Sequence, residues 1–335
     1  MKILLVQTSF LGDTILSTPV ISGIKKIYPD AELWMMTTPL GSSLVVRDPL
    51  LTGVLTYDKR GEDAGFSGLL RMRRRIRAMR FDRVYSLHRS SRTSMLLWLC
   101  GIPVRIGFAN AKLNFLYHEI RERNPGDHDV VRNLSLLSGE VPLESLEAEL
   151  RLFPPLRNEL DNEINRMLPQ PGGYSVLVPG SVWKTKMWHW KGYREVAQFL
   201  LKRGFVVVLL GAPSDEKVNA IVAQGLEVLN FAGKTSIADA MYIINNARLV
   251  VCNDSMALHI ASAFKVPNVA IFCATSPQFG FYPWNNNAIV VEKDLACKPC
   301  SRHGGKRCPT GTEACMKELS HLEVISATKR LLDIQ

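Results

Sequence analysis

Short apolar runs alternate with stretches of helical periodicity along most of the chain. Residues 3–6 form the first apolar run, and apolar positions then recur at helical spacing over residues 15–27. Similar pairs of segments continue to residue 108, and a second series extends from residue 175 to residue 272. Strands that alternate with helices build parallel sheets covered on both faces. The pattern therefore predicts an α/β protein with two doubly wound, Rossmann-like domains in tandem.

The periodic pattern is interrupted over residues 141–155, where prolines accumulate. A chain of 335 residues also exceeds what one hydrophobic core usually covers. We therefore predict an N-terminal domain over residues 1–150 and a C-terminal domain over residues 156–315. A last helix within residues 316–335 has no strand after it and could pack back on the N-terminal domain.

The composition is that of an ordinary globular protein, with 47% hydrophobic and 21% charged residues. No segment approaches the roughly 18 unbroken apolar residues of a membrane span. The first apolar run is too short for the core of a signal peptide, so we expect a cytoplasmic protein.

Basic residues are in excess, and the excess is concentrated. The net charge is +10, and residues 71–80 alone contain six arginines. His88, Arg89 and Arg92 follow shortly after. Such a surplus favours an anionic partner, which could be a nucleic acid, an acidic membrane face or an acidic substrate.

One stretch of the second domain combines a buried strand with polar residues that can begin a helix. Residues 249–252 are apolar and lead into Asn253, Asp254 and Ser255, after which helical periodicity resumes. His259 lies four residues after Ser255, on the same face of that helix. Open α/β sheets bind ligands where a helix begins at the carboxyl end of a strand. From the residues alone, a capping role for Asp254 or Ser255 and a core role for His259 stay open.

Two nucleotide-binding motifs are incomplete. The first βα turn lacks the G-x-G-x-x-G dinucleotide pattern, which disfavours a nicotinamide-dependent oxidoreductase. Residues 233–235 read Gly-Lys-Thr, but Val228 stands where a P-loop needs its leading glycine. A lysine in the polar loop at residues 183–188 is instead placed to neutralise a phosphate.

Four segments carry a resemblance to a known family. They read L-L-V-Q-T-S-F-L-G-D-T-I-L-S-T-P from residue 4, P-G-S-V-W-K-T-K-M-W from residue 179, N-F-A-G-K-T-S-I-A-D-A from residue 230 and N-D-S-M-A-L-H-I-A-S-A from residue 253. Together they resemble glycosyltransferase family 9, the ADP-heptose:lipopolysaccharide heptosyltransferases, in particular the heptosyltransferase II type. The resemblance implies the GT-B fold, in which two Rossmann-like domains face a cleft. It also implies metal-independent, inverting transfer from ADP-heptose without a required cofactor.

The resemblance assigns roles to individual residues. Asp13 matches the proposed catalytic base, although its position would also suit a helix cap. Lys186 matches the lysine that contacts the diphosphate, and Asp254 matches the aspartate that holds the heptose hydroxyls. Met256 departs from the glycine usual in the pattern Asp-Ser/Thr-Gly-x-x-His, which bears on the donor because a side chain there could narrow the sugar pocket. The expected nucleotide-sugar site comprises Ser181, Lys186, Thr235, Asp254, Ser255 and His259.

The resemblance also identifies a partner for the basic N-terminal surface. Inner-core lipopolysaccharide carries acidic Kdo sugars and phosphates, which arginine binds in bidentate fashion. We therefore expect a lipid-linked, Kdo-containing acceptor and a monomeric enzyme at the cytoplasmic face of the inner membrane of a Gram-negative cell. The arginines of residues 71–80 would favour that anionic membrane face. The expected acceptor residues are Thr8, Gly12, His88, Arg89 and Arg92.

Two alternatives to this interpretation remain. A family 9 enzyme could use another nucleotide sugar, or another acceptor such as a surface glycan or a protein. A basic nucleic-acid-binding protein is disfavoured, because no nucleic-acid motif occurs and the arginines lack interleaved aromatic residues. We therefore expect no nucleic-acid partner.

The cysteines divide into two groups. Cys100, Cys252 and Cys273 lie in apolar runs and are expected in the core. Cys297, Cys300, Cys308 and Cys315 are clustered, and in a reducing compartment such a set suggests a structural zinc site. Only one C-x-x-C pair is present, so a structural clip, either metal or disulfide, and free thiols are equally compatible with the sequence.

Overall fold

The computed structural model describes residues 1–333 and divides the chain into two compact units. The first unit comprises Met1–Phe153 and the second begins at Pro154. The division falls within the proline-containing stretch at residues 141–155. None of the helices formed by residues 1–333 is both long and apolar enough to span a lipid bilayer.

The first unit is a parallel six-stranded sheet with helices on both faces. Its strands pair in the order β3-β2-β1-β4-β5-β6, which is the Rossmann order. The strands are β1 (Lys2–Val6), β2 (Glu32–Thr37), β3 (Gly53–Thr56), β4 (Arg83–Ser86), β5 (Val104–Phe108) and β6 (Glu119–Arg121). The helices are α1 (Leu11–Leu16), α2 (Pro19–Ile27), α3 (Pro39–Val45), α4 (Gly65–Met79), α5 (Ser91–Leu99) and α6 (Asp129–Leu134).

The second unit repeats this arrangement. Its sheet has the order β12-β11-β10-β7-β8-β9, which is the same order read from the other edge. The strands are β7 (Tyr174–Val178), β8 (Val206–Leu209), β9 (Leu229–Asn230), β10 (Leu249–Asn253), β11 (Asn268–Phe272) and β12 (Ala288–Glu292). The helices are α7 (Asn162–Met167), α8 (Trp190–Lys202), α9 (Glu216–Ala223), α10 (Ile237–Asn245), α11 (Met256–Ala263), α12 (Ala314–Lys317) and α13 (His321–Leu332). The prediction of two doubly wound domains is confirmed.

Several predicted helices are shorter than the periodicity suggested, because side chains end or restart them. The helix expected over residues 15–27 is divided between α1 and α2, since Pro19 opens a helix but has no amide to continue one. The polar helix that the sequence predicts over residues 156–167 begins only after Asp161, as α7, because the Asp161 carboxylate accepts from the amides of Glu163 and Ile164. α12 and α13 are separate because Ser320 caps the second of them in a capping box with Glu323.

The last helix belongs to the core of the second unit. Val324 and Leu332 of α13 are buried together with Trp188, whose ring nitrogen donates to the carbonyl of Leu319 at 3.0 Å. α13 packs against α8 and β12. The strand β12, like α3 and β6, was not predicted from the sequence.

Candidate active site

The first group of functional side chains lies at the carboxyl edge of the N-terminal sheet. β1 and β4 are neighbours, and the strand order reverses between them, so this edge is a topological switch point. Residues that follow both strands enclose a cavity of about 170 Å³ together with side chains from α1 and α6. The cavity is lined by Gln7, Ser9, Asp13, Leu87, His88, Arg89, Ser90, Arg123, Asp129 and Asn133.

Asp13 combines a capping role with a position in this cavity. It lies in the first turn of α1, and the amide of Phe10 donates to its Oδ2 at 3.2 Å. Its pKa is raised to about 6, first by burial and then by the carboxylate of Asp129. Arg123 and Arg89 act in the opposite direction, as does the Phe10 amide. Asp13 is therefore ionised at neutral pH, yet is a stronger base than an ordinary aspartate.

Asp129 is a second carboxylate in the cavity, and sequence reasoning missed it. The side chain is buried and forms ion pairs with Arg123 and with Arg132, the latter at 3.6 Å. Asn133 donates to Asp129 at 3.2 Å and to the carbonyl of Leu16 at 3.1 Å, which links α6 to the end of α1. No local pattern indicated that Asp129 lies in the same cavity as Asp13, because more than a hundred residues separate the two along the chain.

His88 lines the cavity as a neutral ring. Its Nδ1 lies 2.7 Å from Thr93 Oγ1 and 3.2 Å from Ser90 Oγ, at the start of α5. Burial, with Lys59 and Arg89 nearby, lowers the pKa of His88 to about 3. The His88 ring can therefore contribute hydrogen bonds to the cavity, whereas positive charge must come from residues such as Arg89.

The other predicted acceptor residues, Thr8, Gly12 and Arg92, are not among the residues that line the cavity. Arg92 donates to the hydroxyl of Tyr57 and to the carbonyls of Asp63 and Gly65, each at 2.7 Å, so its guanidinium anchors the segment before α4. Thr8 accepts from the ammonium of Lys59 at 3.1 Å, and Gly12 lies in α1 beside Asp13. Burial lowers the pKa of Lys59 to about 8, and this lysine was not identified from the sequence.

The second group of side chains lies at the corresponding switch point of the C-terminal sheet, between β7 and β10. Asn253 ends β10 and connects the loops there. Its Oδ1 accepts from the amide of Trp188 at 2.9 Å, and its Nδ2 donates to the carbonyls of Pro179 at 2.8 Å and Gly180 at 3.3 Å. This buried amide holds the Lys186 loop beside the end of β7.

Lys186 and Asp254, which the family resemblance assigned to one ligand, are in direct contact. Lys186 Nζ lies 2.7 Å from Asp254 Oδ2, and the hydroxyl of Thr275 donates to the same carboxylate at 2.7 Å. Both charged side chains are mostly buried. The pair presents one cationic and one anionic group at the start of α11.

The remaining predicted donor residues lie on the loops and helix starts of the same unit. Ser255 occupies the position before α11 without forming a side-chain cap, and Met256 is the first residue of that helix. His259 is only 4% exposed. This burial agrees with a role as a core residue, which the sequence left open beside the role in ligand binding. Ser181 and Thr235 are both half-buried; Ser181 follows the Gly180 carbonyl that Asn253 contacts, and Thr235 precedes the N-cap of α10.

The structure brings the four cysteines of the predicted clip near one another, since Cys297 and Cys308 act electrostatically on Cys300, and all three act on Cys315. All seven cysteines are free thiols, and no group of three or more His, Cys, Asp or Glu side chains within residues 1–333 is arranged to hold a metal ion. The four thiols occupy different environments: Cys315 is buried in the core, whereas Cys297 is exposed. A hydrogen bond from Thr310 lowers the pKa of Cys308 to about 7. The segment that contains these cysteines contacts the Lys186 loop, since Gly305 and Thr185 exchange hydrogen bonds of 2.8 and 3.1 Å.

Comparison with known proteins identifies the family. The family model described as glycosyltransferase family 9 (heptosyltransferase) matches residues 69–308, which is more than half of the chain. The chain belongs to glycosyltransferase family 9. This family 9 member is therefore a transferase, and the sequence-based prediction of its family is confirmed.

Similar proteins in the family extend over nearly the whole chain. The chain is 28% identical to lipopolysaccharide heptosyltransferase 3 of Escherichia coli, over 96% of this chain and 95% of the relative. It is 26% identical to lipooligosaccharide heptosyltransferase 2 of Campylobacter jejuni, over 99% and 98% of the two chains.

Solved structures support the fold. A family 9 glycosyltransferase from Veillonella parvula superposes with a TM-score of 0.84 at 22% identity, covering 99% of this chain and 97% of that one. The E. coli ADP-heptose lipopolysaccharide heptosyltransferase II gives a TM-score of 0.81 at 23% identity, with coverage of 99% and 98%. The predicted GT-B class is confirmed.

Proposed function

We propose that this family 9 enzyme transfers heptose from ADP-heptose to the inner core of lipopolysaccharide, with inversion at the anomeric carbon and without a metal ion. The observation that carries the proposal is the Asp13 carboxyl group, which lies in a cavity with Arg89 and Arg123 and has a raised pKa. The carboxylate can take the proton that the acceptor hydroxyl must lose, and the neighbouring arginines can bind the acidic groups of the acceptor. The curated relatives, named lipopolysaccharide and lipooligosaccharide heptosyltransferases, support heptose as the sugar and lipopolysaccharide as the acceptor.

In the proposed reaction, Asp13 takes the proton of an acceptor hydroxyl as its oxygen attacks the anomeric carbon of the donor. The bond from that carbon to the ADP oxygen breaks, and ADP leaves with the electron pair. Arg89 and Arg123 contact acidic groups of the acceptor, and His88 contributes hydrogen bonds as a neutral ring. Thr8 and Gly12 shape the acceptor site around Asp13.

Charge on the departing ADP is offset by groups of the C-terminal unit. Lys186 is proposed to exchange its contact with Asp254 for the diphosphate, which frees the carboxylate to accept hydrogen bonds from heptose hydroxyls. Ser255 forms no side-chain cap with the first turn of α11, so the amides of that turn are proposed to donate to the same phosphate groups. Ser181, Thr235 and His259 complete the proposed nucleotide-sugar site. We further propose that the enzyme is a monomer at the cytoplasmic membrane face, where its lipid-linked acceptor is presented.

Calorimetric titration with ADP, UDP, GDP and NAD in the presence of EDTA tests the donor site. We expect a preference for ADP that is lost in Lys186→Ala. Lys184→Ala is the matched control, because Lys184 lies in the same short turn but is exposed, and this variant should bind ADP normally. Preference for another nucleotide would contradict the heptose donor, and equal losses in both lysine variants would contradict the specific role of Lys186.

A coupled assay for ADP release tests the reaction. Release should require both ADP-heptose and a Kdo-containing lipid acceptor, and Asp13→Asn should bind ADP normally while losing transfer by about a hundredfold or more. Transfer by Asp13→Asn at the wild-type rate would exclude Asp13 as the base.

A further inference from the structure

An exposed apolar patch lies on the N-terminal unit, outside the Asp13 cavity. Phe66 is 71% exposed, Trp98 is 50% exposed and Phe115 is 73% exposed. Exposed side chains of this size are uncommon on a protein that contacts only water, and a group of them marks an interaction surface. We use the name aromatic patch for Phe66, Leu70, Met95, Trp98 and Phe115. These side chains border one groove of about 600 Å³.

Three elements build the aromatic patch, and each has another face in the core. α4 buries Leu69, Met72 and Ile76 along one stripe, while Phe66 and Leu70 lie on a different stripe. α5 likewise buries Leu96 and Leu97 and leaves Met95 and Trp98 outside. The short turn Asn114–Leu116 adds Phe115. The exposed residues are therefore additional to those that the fold needs.

Arginines extend the same stripe of α4. Arg73 and Arg77 follow Phe66 and Leu70 at spacings of three and four residues, so they share one face of the helix, and Arg74 adjoins it. Within residues 1–333, Arg74 and Arg77 form no ion pair, in contrast to Arg71, which pairs with Asp63 at 3.0 Å. Arg75 lies on the opposite side of α4, about half a helical turn from the stripe that carries Phe66 and Leu70. An apolar surface is thus flanked by unneutralised positive charge.

We propose that the aromatic patch and its flanking arginines form a docking surface for a bilayer of anionic phospholipid. Aromatic and aliphatic side chains enter the boundary between headgroups and acyl chains, while arginines beside them contact phosphate groups. Charge complementarity selects this occupant, because a purely apolar partner would leave the arginines of α4 without counter-ions. The inference rests on the proposed function and deepens it, since a lipid-linked acceptor is presented at such a surface.

α5 connects the docking surface to the Asp13 cavity. Ser90, which lines the cavity, caps the helix at one end, and Trp98 lies near the other end. Nine residues of helix span about 14 Å. A bilayer bound at the patch therefore lies within the reach of a short lipid-linked saccharide whose sugar occupies the cavity.

Sedimentation with lipid vesicles tests the docking surface on the full-length protein. We expect binding to vesicles of phosphatidylcholine with phosphatidylglycerol, much weaker binding to phosphatidylcholine alone, and release at high salt. The triple variant Phe66→Ser/Trp98→Ser/Phe115→Ser should lower the partition coefficient by about tenfold or more. A matched triple variant at exposed apolar residues outside the patch, Leu156→Ser/Ile221→Ser/Leu322→Ser, should bind as the wild type does.

A pair of charge variants tests the arginines separately. Arg74→Glu/Arg77→Glu should weaken binding to anionic vesicles by about tenfold or more, whereas Arg75→Glu on the opposite side of α4 should have a much smaller effect. In a second measurement, brominated lipids should quench part of the tryptophan fluorescence of the wild type. Trp98→Phe should lose that quenched component.

Three results would overturn the proposal. The first is equal vesicle binding by the patch variant and the wild type. The second is an equal loss of vesicle binding in the Arg74/Arg77 and Arg75 variants. The third is a wild type that does not bind vesicles and forms a dimer, which the patch substitutions convert to a monomer. Circular dichroism and thermal melting of each variant are the folding controls for the N-terminal unit, and ADP titration checks that the donor site of the other unit is unaffected. A wild type that binds vesicles but does not bind ADP would contradict the proposed function alone. A wild type that binds ADP but does not bind vesicles would contradict the docking surface alone.

Discussion

The residues around Asp13 show how neighbouring charges set the strength of a base. Burial and the Asp129 carboxylate favour the neutral form of Asp13, and Arg123 and Arg89 favour the ionised form. Because Asp129 is itself paired with Arg123, that arginine is shared between two carboxylates. The pKa of Asp13 therefore depends on contacts that Asp13 does not make itself.

The first prediction concerns the pH dependence of transfer. Asp13 must be ionised to accept a proton, and its pKa is about 6. We expect kcat/KM to rise by about tenfold per pH unit below pH 6 and to level off above it. Initial rates at acceptor concentrations below KM measure this profile, and a flat profile between pH 5 and pH 7 would contradict the assignment.

Asp129→Asn should move that profile toward acid pH. The substitution removes the carboxylate that raises the pKa of Asp13 and releases Arg123 to face it, so the midpoint should fall by roughly one pH unit. Asp127→Asn is the control, because Asp127 contacts Asn124 at the surface. A purely structural role for Asp129 would lower the rate at every pH without moving the midpoint.

Asp13 should also destabilise the folded protein at neutral pH. Its pKa is higher in the folded state than the usual value of 3.8, so stability is lost as pH rises from about 4 to about 6. Asp13→Asn should therefore melt at a higher temperature than the wild type at pH 8, and the difference should shrink at pH 4. Calorimetric melting at both pH values checks this; a wild type that is more stable than the variant at pH 8 would contradict it.

At the scale of elements, both candidate sites depend on where strands end and helices begin. Asn253 illustrates this, since one buried amide bonds to the loop after β7 and to the loop before α8. The sequence predicted the strand, the turn and the helix start here, because N-cap residues follow an apolar run. It could not predict that Asn253 bonds across the sheet, since the partners at residues 179–188 lie far away along the chain.

Asn253→Ala should destabilise the protein by roughly 3 kcal/mol, because it leaves the Trp188 amide and the Pro179 carbonyl buried without partners. It should also weaken ADP binding, since the Lys186 loop loses its anchor. Asn246→Ala is the control, because the Asn246 side chain donates to the carbonyl of Tyr242 in its own helix, and its loss should cost under about 1 kcal/mol. Urea unfolding and ADP titration measure both effects; equal losses of stability in the two variants would contradict the anchoring role.

At the scale of the whole molecule, two units with the same strand order each carry a separate core and a separate group of functional residues. The alternation of apolar runs and helical segments predicted this repetition well, because strand burial and helix periodicity are local properties. The strands β6 and β12 escaped prediction, since no α-helix separates either of them from the strand before it, and the alternation that predicted the other strands is therefore missing. The cavity around Asp13 escaped prediction in part, because Asp129 and Lys59 reach it only through tertiary folding.

The separate cores lead to a prediction for the second unit. A chain that begins at Pro154 contains a complete sheet, its helices and the Lys186 and Asp254 pair. Expressed alone, it should unfold cooperatively and bind ADP, and Lys186→Ala should abolish that binding. A molten or insoluble fragment would show instead that the second unit needs the first to fold.

The aromatic patch affects the rate at which the enzyme meets its acceptor, which the geometry of the cavity does not determine. An enzyme held at a bilayer meets its acceptor by lateral diffusion in two dimensions, so the encounter rate follows the surface density of the acceptor. Adding inert lipid to vesicles that carry a fixed amount of acceptor should therefore slow transfer, although the bulk acceptor concentration stays constant. Such surface dilution would make transfer sensitive to the composition of the membrane as well as to the supply of donor.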